Sequence, residues 1–148
     1  MNHNTPLGKR PVDVQHTIPR GRPNCGLVAL AHFTDQPYSR VEKFLRPLYG
    51  NNWKGTTYHA DYKAFFARVG LSVTWEKYTK RSQQMTLEQW VRQVAQPGVR
   101  YMVITTGHAQ VVYNGEIVDQ KLPKLVPANE YHLRRKKVKN WFVLEGSL

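Results

Sequence analysis

The 148-residue chain has one cysteine, Cys25, between Asn24 and Gly26 and directly ahead of the apolar run Leu27-Val28-Ala29-Leu30-Ala31. The run predicts a buried helix with the thiol at its N-terminus, where unpaired backbone N–H groups and the helix dipole favour the reactive thiolate. A sulfur that attacks an acyl carbon needs a base to take its proton and later hand it to the leaving group, and histidine titrates in the right range. The imidazole in turn needs an acceptor on its other nitrogen, to hold its tautomer and balance its charge. Both partners lie far downstream, in the segment from Thr106-Gly107-His108 to Val118-Asp119. It reads as a strand opening on His108, a two-residue Asn114-Gly115 turn, and a return strand ending on Asp119. Pairing across that turn sets Asp119 opposite Gln110, on the face that also carries His108 and one diagonal away from it. Cys25 as nucleophile, His108 as general base and acid, and Asp119 as orienting acid are therefore the candidate catalytic residues. Taken singly, each has a plainer reading: a small packed hydrophobe, a strand-edge histidine, a turn residue. Their order, their elements and the hairpin phase together favour the catalytic one.

The surrounding sequence predicts what positions them. Residues 1–24 carry Pro6, Pro11, Pro19 and Pro23 with little hydrophobic periodicity, and read as an extended arm leading to the cysteine helix. That helix runs from Cys25 to about Phe33. A second begins near Pro37, where Ser39-Arg40-Val41-Glu42 has the capping-box form, and ends before Pro47. After a loop over Asn51 to Thr57, the spacing of Tyr58, Tyr62, Phe65, Phe66 and Val69 predicts a third helix, closed by Gly70. Ser72 to Tyr78 alternates as a strand. Thr86-Leu87-Glu88-Gln89 opens a short fourth helix that ends at Pro97-Gly98. From Val99 the β-branched and aromatic content rises through Tyr101 to Ile104, the His108 hairpin and a last strand over Val138 to Leu144. A mainly helical part over 25–95 and a mainly β part over 99–148 give an α+β fold in a single domain of residues 1–148, the nucleophile helix packed on a C-terminal antiparallel sheet.

Composition bounds the function. One cysteine leaves no internal disulfide and no multi-cysteine zinc site, and the remaining histidines lack ligand partners, so neither metal nor cofactor is expected. No apolar stretch follows the polar start of the chain, and no window approaches a membrane span. The expected compartment is therefore the cytoplasm, with no membrane partner. The 22 Lys and Arg against 10 Asp and Glu give a formal charge of +12, which favours anionic partners. The densest run, Arg134, Arg135, Lys136 and Lys137, is the candidate site for nucleic acid or an acidic protein, with a solvated face as the plain alternative.

Three segments carry a resemblance: Asn24-Cys25-Gly26 before a small-apolar helix; Lys54-Gly55-Thr56-Thr57 leading into a helix closed by Val69-Gly70-Leu71; and Gly107-His108-Ala109 with the strands down to Val118-Asp119. In this order they resemble a compact papain-like cysteine peptidase of the bacteriocin-processing type found in bacteria and their phages. The resemblance implies a papain-like fold, a peptide or protein substrate, and cleavage of an amide or isopeptide bond through a thioester on Cys25, with His108 and Asp119 in the roles above. Such enzymes generally place an oxyanion-hole glutamine about six residues before the cysteine. Here that position is Pro19 and the nearest glutamine is Gln15. The candidate donors are thus Gln15 or, closer to ovarian-tumour-type deubiquitinases, backbone N–H groups of Asn24 and Cys25 with the Asn24 side chain. The same triad also serves acyl transfer and deamidation. A different alternative is a non-catalytic basic module binding nucleic acid or ribonucleoprotein, with Tyr131, Trp141 and Phe142 as stacking contacts.

Overall fold

In the computed structural model, which describes residues 5–14, 24–122 and 124–147, the helices form first along the chain and most of the strands follow. The helices are α1 (Cys25–Thr34), α2 (Tyr38–Tyr49), α3 (His59–Arg68) and α4 (Leu87–Gln93). The strands are β1 (Leu71–Lys77), β2 (Arg100–Thr105), β3 (His108–Tyr113), β4 (Glu116–Val118), β5 (Val126–Pro127) and β6 (Val138–Ser147). Among the described residues the strands make one sheet in the order β1-β6-β2-β3-β4-β5, antiparallel at every pair. The architecture is α+β.

Apolar residues on both faces of β2, β3 and β6 explain the layering, because side chains alternate across a sheet and both faces need cover. Met102, Ala109, Val111, Phe142 and Leu144 face the core built with α1, α2 and α3. Tyr101, Val103, Val112 and Trp141 face a second core around Leu87 and Trp90 of α4. Helix α1 is the most enclosed, every residue after Cys25 being buried. It lies against β3, β2 and α2. A helix apolar all round is stable only in such a place, each fully buried Leu or Phe contributing about 1.5–3 kcal/mol.

A fully buried cation closes the far end of α1. The Arg100 guanidinium donates to the carbonyls of His32 and Phe33, both at 3.0 Å, in the last turn of α1. It also donates to the carbonyls of Arg10 at 3.1 Å and Pro11 at 2.8 Å in the N-terminal segment. Burial lowers its pKa to about 10, and the carbonyls supply the hydrogen bonds of its two terminal nitrogens, while Nε is buried with no partner among the described residues. The helix dipole adds to the attraction, its negative end facing the guanidinium.

Several expectations are corrected. The described part of the N-terminal segment, read as an extended arm, is not extended throughout: Leu7–Lys9 form a 3₁₀ turn, and Leu7 and Val12 are buried. A Cβ on Gly8 would stand 1.8 Å from the Leu144 carbonyl oxygen, so only glycine lets the turn approach β6 this closely. Helix α2 runs through Pro47 to Tyr49. The proline stands in the last turn, and the carbonyl it leaves without an N–H belongs to Lys43, an exposed residue. The capping box at Ser39 does not form, because the helix has already begun at Tyr38. Helix α4 stops at Gln93, ahead of the expected Pro97-Gly98.

Candidate active site

Three element ends converge. Cys25 is the first residue of α1, His108 the first of β3, and Asp119 the first past β4. Packing of α1 on β3 brings the first two together. The hairpin brings the third. Its turn residues Asn114 and Gly115 have φ of 50° and 78°, the left-handed pair that matches the twist of the strands. The register that follows, Val111 opposite Val118 and Val112 opposite Ile117, is the one expected. It leaves Asp119 free of the ladder and in contact with His108, Nε2 to Oδ2 at 2.9 Å. His108 also shares the cleft lining with Cys25 and couples electrostatically to its thiol, each favouring the other's charged form.

The charges follow from these contacts. Burial pushes the Cys25 thiol up, but the hydrogen bond and charge of His108, with the backbone N–H groups of Ala109 and Gly26, outweigh it and bring the pKa below its ordinary value. Burial alone would lower His108; the hydrogen bonds to Asp119 and Cys25 and their negative charges instead raise it to about 9. Burial also opposes the charge on Asp119, and His108, Tyr131 and the Lys121 N–H more than offset it, so this carboxyl lies below its usual range. The shifts of Cys25 and His108 are mutual and favour a thiolate–imidazolium pair beside the Asp119 carboxylate.

The carboxylate is almost wholly enclosed, its side chain 0 % exposed. Tyr131 OH donates to Oδ2 at 2.6 Å and the Lys121 N–H to Oδ1 at 2.9 Å. His132 Nε2 lies 3.6 Å from Oδ2 at the solvent edge. The Tyr131 oxygen is also 3.2 Å from Gln110 Oε1. A hydroxyl has one proton, and the shorter contact assigns it to Asp119. Tyr131 was not legible as a partner of Asp119. In the sequence it stood out only as an aromatic ring near a basic run.

The sulfur opens on a cleft of about 590 Å³, with Gly55, Thr56 and Thr57 on its lining along with Thr105, Gly107 and Gln120. The loop 55–57 comes so close to α1 that a Cβ on Gly26 would meet Thr57 Oγ1 at 1.9 Å and Tyr62 OH at 2.7 Å. Those two hydroxyls bond each other at 2.8 Å. The glycine after the cysteine is thus what lets the cleft wall form.

The other predicted residues are placed differently. Gln15 lies outside the described residues. Asn24 is 1 % exposed, gives its backbone N–H to Gln120 Oε1 at 3.2 Å and its side-chain NH₂ to Tyr38 OH at 3.1 Å, and does not line the cleft. It anchors the helix start, which corrects its expected role as a side-chain donor to the cleft. Of the basic run, Arg135, Lys136 and Lys137 are exposed, while Arg134 is half-buried beside Glu88 at 3.7 Å. The run's backbone serves α4: the Arg134 and Lys136 carbonyls accept from the Glu88 and Leu87 N–H groups at 2.9 and 2.8 Å. None of the four lines the cleft. Tyr131, Trp141 and Phe142 are buried in the two cores, so they present no face for stacking a base. Among the described residues, no group of three His, Cys, Asp or Glu could hold a metal ion, and no helix is long and apolar enough to cross a membrane.

Comparison with known proteins gave no match: no family model fits the chain, and no curated protein or solved structure is significantly similar to it.

Proposed function

We propose that the protein is a papain-like thiol hydrolase that opens an amide or isopeptide bond in a peptide or protein through a thioester on Cys25. The observation that carries this reading is the position of His108, hydrogen-bonded at 2.9 Å to a buried carboxylate and sharing a cleft with a thiol whose pKa it helps to lower. The same constellation of groups recurs on unrelated folds, so geometry and not fold supplies the argument. A helix bearing the nucleophile, packed on an antiparallel sheet bearing the base and acid, also fits the papain-like expectation.

The chemistry runs in two halves. The Cys25 thiolate attacks the carbonyl carbon of a chain laid in the cleft, and the C–S bond forms as the carbonyl π electrons move to oxygen. Collapse breaks the C–N bond while the His108 imidazolium gives its proton to the departing amine. Water then enters, His108 takes its proton, and the hydroxide equivalent attacks the thioester. The acid is released and the thiolate–imidazolium pair is restored. Asp119 keeps its negative charge throughout and holds the ring through Nε2.

The test is labelling of the native protein with a peptide vinyl sulfone at pH 6, followed by peptide mapping. One adduct, on Cys25 and absent from the His108→Ala variant, is the expected result. A thiol that reacts only after unfolding would leave Cys25 as packing and end the proposal.

A further inference from the structure

We infer that Gln120, together with the Cys25 backbone N–H, supplies the hydrogen-bond donors that hold the oxyanion formed when the thiolate adds to a carbonyl. This rests on the thiol-hydrolase reading above.

That reaction develops a negative charge on the former carbonyl oxygen, and preorganised donors beside the sulfur are usually the largest single source of acceleration. The Asn24 side chain does not serve, being buried against Tyr38. The Gly26 and Ala109 N–H groups are turned to the sulfur itself. Two donors stand at the start of α1, while the cleft's other polar side chains include Thr57, Thr105 and Lys139. The Cys25 N–H belongs to the first turn of α1, where the helix offers it no acceptor. The other is the Gln120 carboxamide, whose residue lines the cleft with Cys25 and His108.

The orientation of that carboxamide is decided by its neighbour. A backbone N–H can bond only to the oxygen end of an amide, and Asn24 N–H meets Gln120 Oε1 at 3.2 Å. The oxygen is therefore held against the residue preceding the nucleophile, and the NH₂ end keeps both its protons, with no acceptor among the described residues. The backbone supports the placement. Gln120 directly follows Asp119, in a turn closed by the Lys121 N–H on Asp119 Oδ1 at 2.9 Å and the Leu122 N–H on the Asp119 carbonyl at 3.2 Å. One short turn thus sets both the carboxylate behind the histidine and a carboxamide against the residue that precedes the nucleophile, on the same cleft.

Two reactions of Cys25 separate this role from a structural one. Alkylation by iodoacetamide displaces iodide at a saturated carbon and makes no oxyanion; acylation by p-nitrophenyl acetate does make one. In Gln120→Ala, alkylation at pH 6 should stay within about threefold of wild type, while the p-nitrophenolate burst slows by about 10²–10³, the usual cost of one such donor. Gln120→Glu retains an acceptor for the Asn24 N–H but has no NH₂, so its acylation should be slow too once corrected by its own alkylation rate. Wild-type acylation rates in Gln120→Ala would overturn the inference. So would parallel loss of both reactions in Gln120→Ala with recovery of both in Gln120→Glu, which would make the residue only a support for Asn24. A wild-type protein that is alkylated but not acylated removes the oxyanion donors and leaves the ion pair. One that resists alkylation at pH 6 removes the hydrolase reading itself.

Discussion

Replacing His108 by alanine should slow alkylation of Cys25 by iodoacetamide roughly twentyfold at pH 6 and have little effect at pH 9. An ordinary thiol, of pKa about 8.5, is ionised in only about one molecule in 300 at pH 6. Paired with the imidazolium, the sulfur is held as thiolate, so removing the ring costs up to that factor. Part of it is returned, because a thiolate of higher pKa is the better nucleophile: a Brønsted slope of about 0.4–0.5 turns the roughly 300-fold difference in ionisation into a gain of about ten- to twentyfold. The net loss is thus about twentyfold, and it is a floor. Burial pushes the Cys25 pKa up, and in the variant only the Ala109 and Gly26 N–H groups remain to oppose it. The sign reverses with pH. His108 has its pKa raised to about 9, so the wild-type pair persists through neutrality and dissolves as pH rises past that value, where an unpaired thiol ionises unaided. Rates followed by intact mass at half-unit intervals should be nearly flat from pH 6 to 8 for wild type and climb about tenfold per unit for the variant until its thiol ionises. An equal ratio at pH 6 and pH 9 would mean that the ring controls only access to the sulfur, and equal rates at pH 6 would mean that no ion pair exists.

Tyr131→Phe removes a hydroxyl that donates to a buried carboxylate at 2.6 Å. Bonds to charged groups contribute about 1.5–3 kcal/mol, so at about 2–4 °C per kcal/mol the melting temperature should fall by roughly 3–12 °C. A calorimetric shift under 1 °C would show that the bond is worth nothing. Arg100→Met leaves two buried and two partly buried carbonyls without their donor and should cost about 2–5 kcal/mol. It should also expose residues 5–14 to proteases before global unfolding; a cleavage pattern like that of wild type would refute the clamp. Gly26→Ala drives a methyl into Thr57 Oγ1 and should destabilise by about 1–3 kcal/mol while slowing alkylation of Cys25. Adding Thr57→Ala removes the nearest clashing atom and should return part of the stability. Strict additivity of the two changes in denaturant titrations would sink the contact.

What the sequence made legible was local. The Asn114-Gly115 turn admits essentially one hairpin geometry, and a two-residue loop fixes the register of its strands, so the proximity of His108 to Asp119 could be worked out by counting. The helices announced themselves wherever periodicity was strong, as at Tyr62, Phe65 and Phe66, and the fourth opens after Thr86 as read, through a capping box with Gln89 that the sequence reading did not name. The errors fall where a local signal met a tertiary one. Pro47 marks a stop by its ring, yet costs little in the last, exposed turn of α2. Proline-rich residues near the start suggested an extended arm throughout, whereas part of it forms a 3₁₀ turn and its Arg10 and Pro11 carbonyls bond Arg100. No pattern around Arg100 tells that it will be buried. Its acceptors come from two segments more than 60 positions away.

The hidden part of the candidate site has the same origin. Tyr131 reaches Asp119 from a 3₁₀ turn that follows β5, a strand of two residues too short to leave a periodic trace. Gln120 is adjacent to Asp119 in sequence, yet its importance depends on where Asn24 lies, and that contact exists only because α1 packs on β3. The role the sequence sought for a glutamine upstream of the cysteine is the one proposed above for Gln120, on the segment that carries Asp119. The two positions can be equivalent because an oxyanion constrains where a donor's N–H ends, within about 2.7–3.1 Å, and is indifferent to the part of the chain that delivers it. On this account a charge-neutral acceptor at Asn24 N–H and a free NH₂ toward the cleft are the two requirements on residue 120, and only glutamine or asparagine meets both. Asparagine is one methylene shorter, so Gln120→Asn should keep one of the two contacts at most, and its acylation rate relative to Gln120→Ala measures which one the turn after β4 has been built to favour.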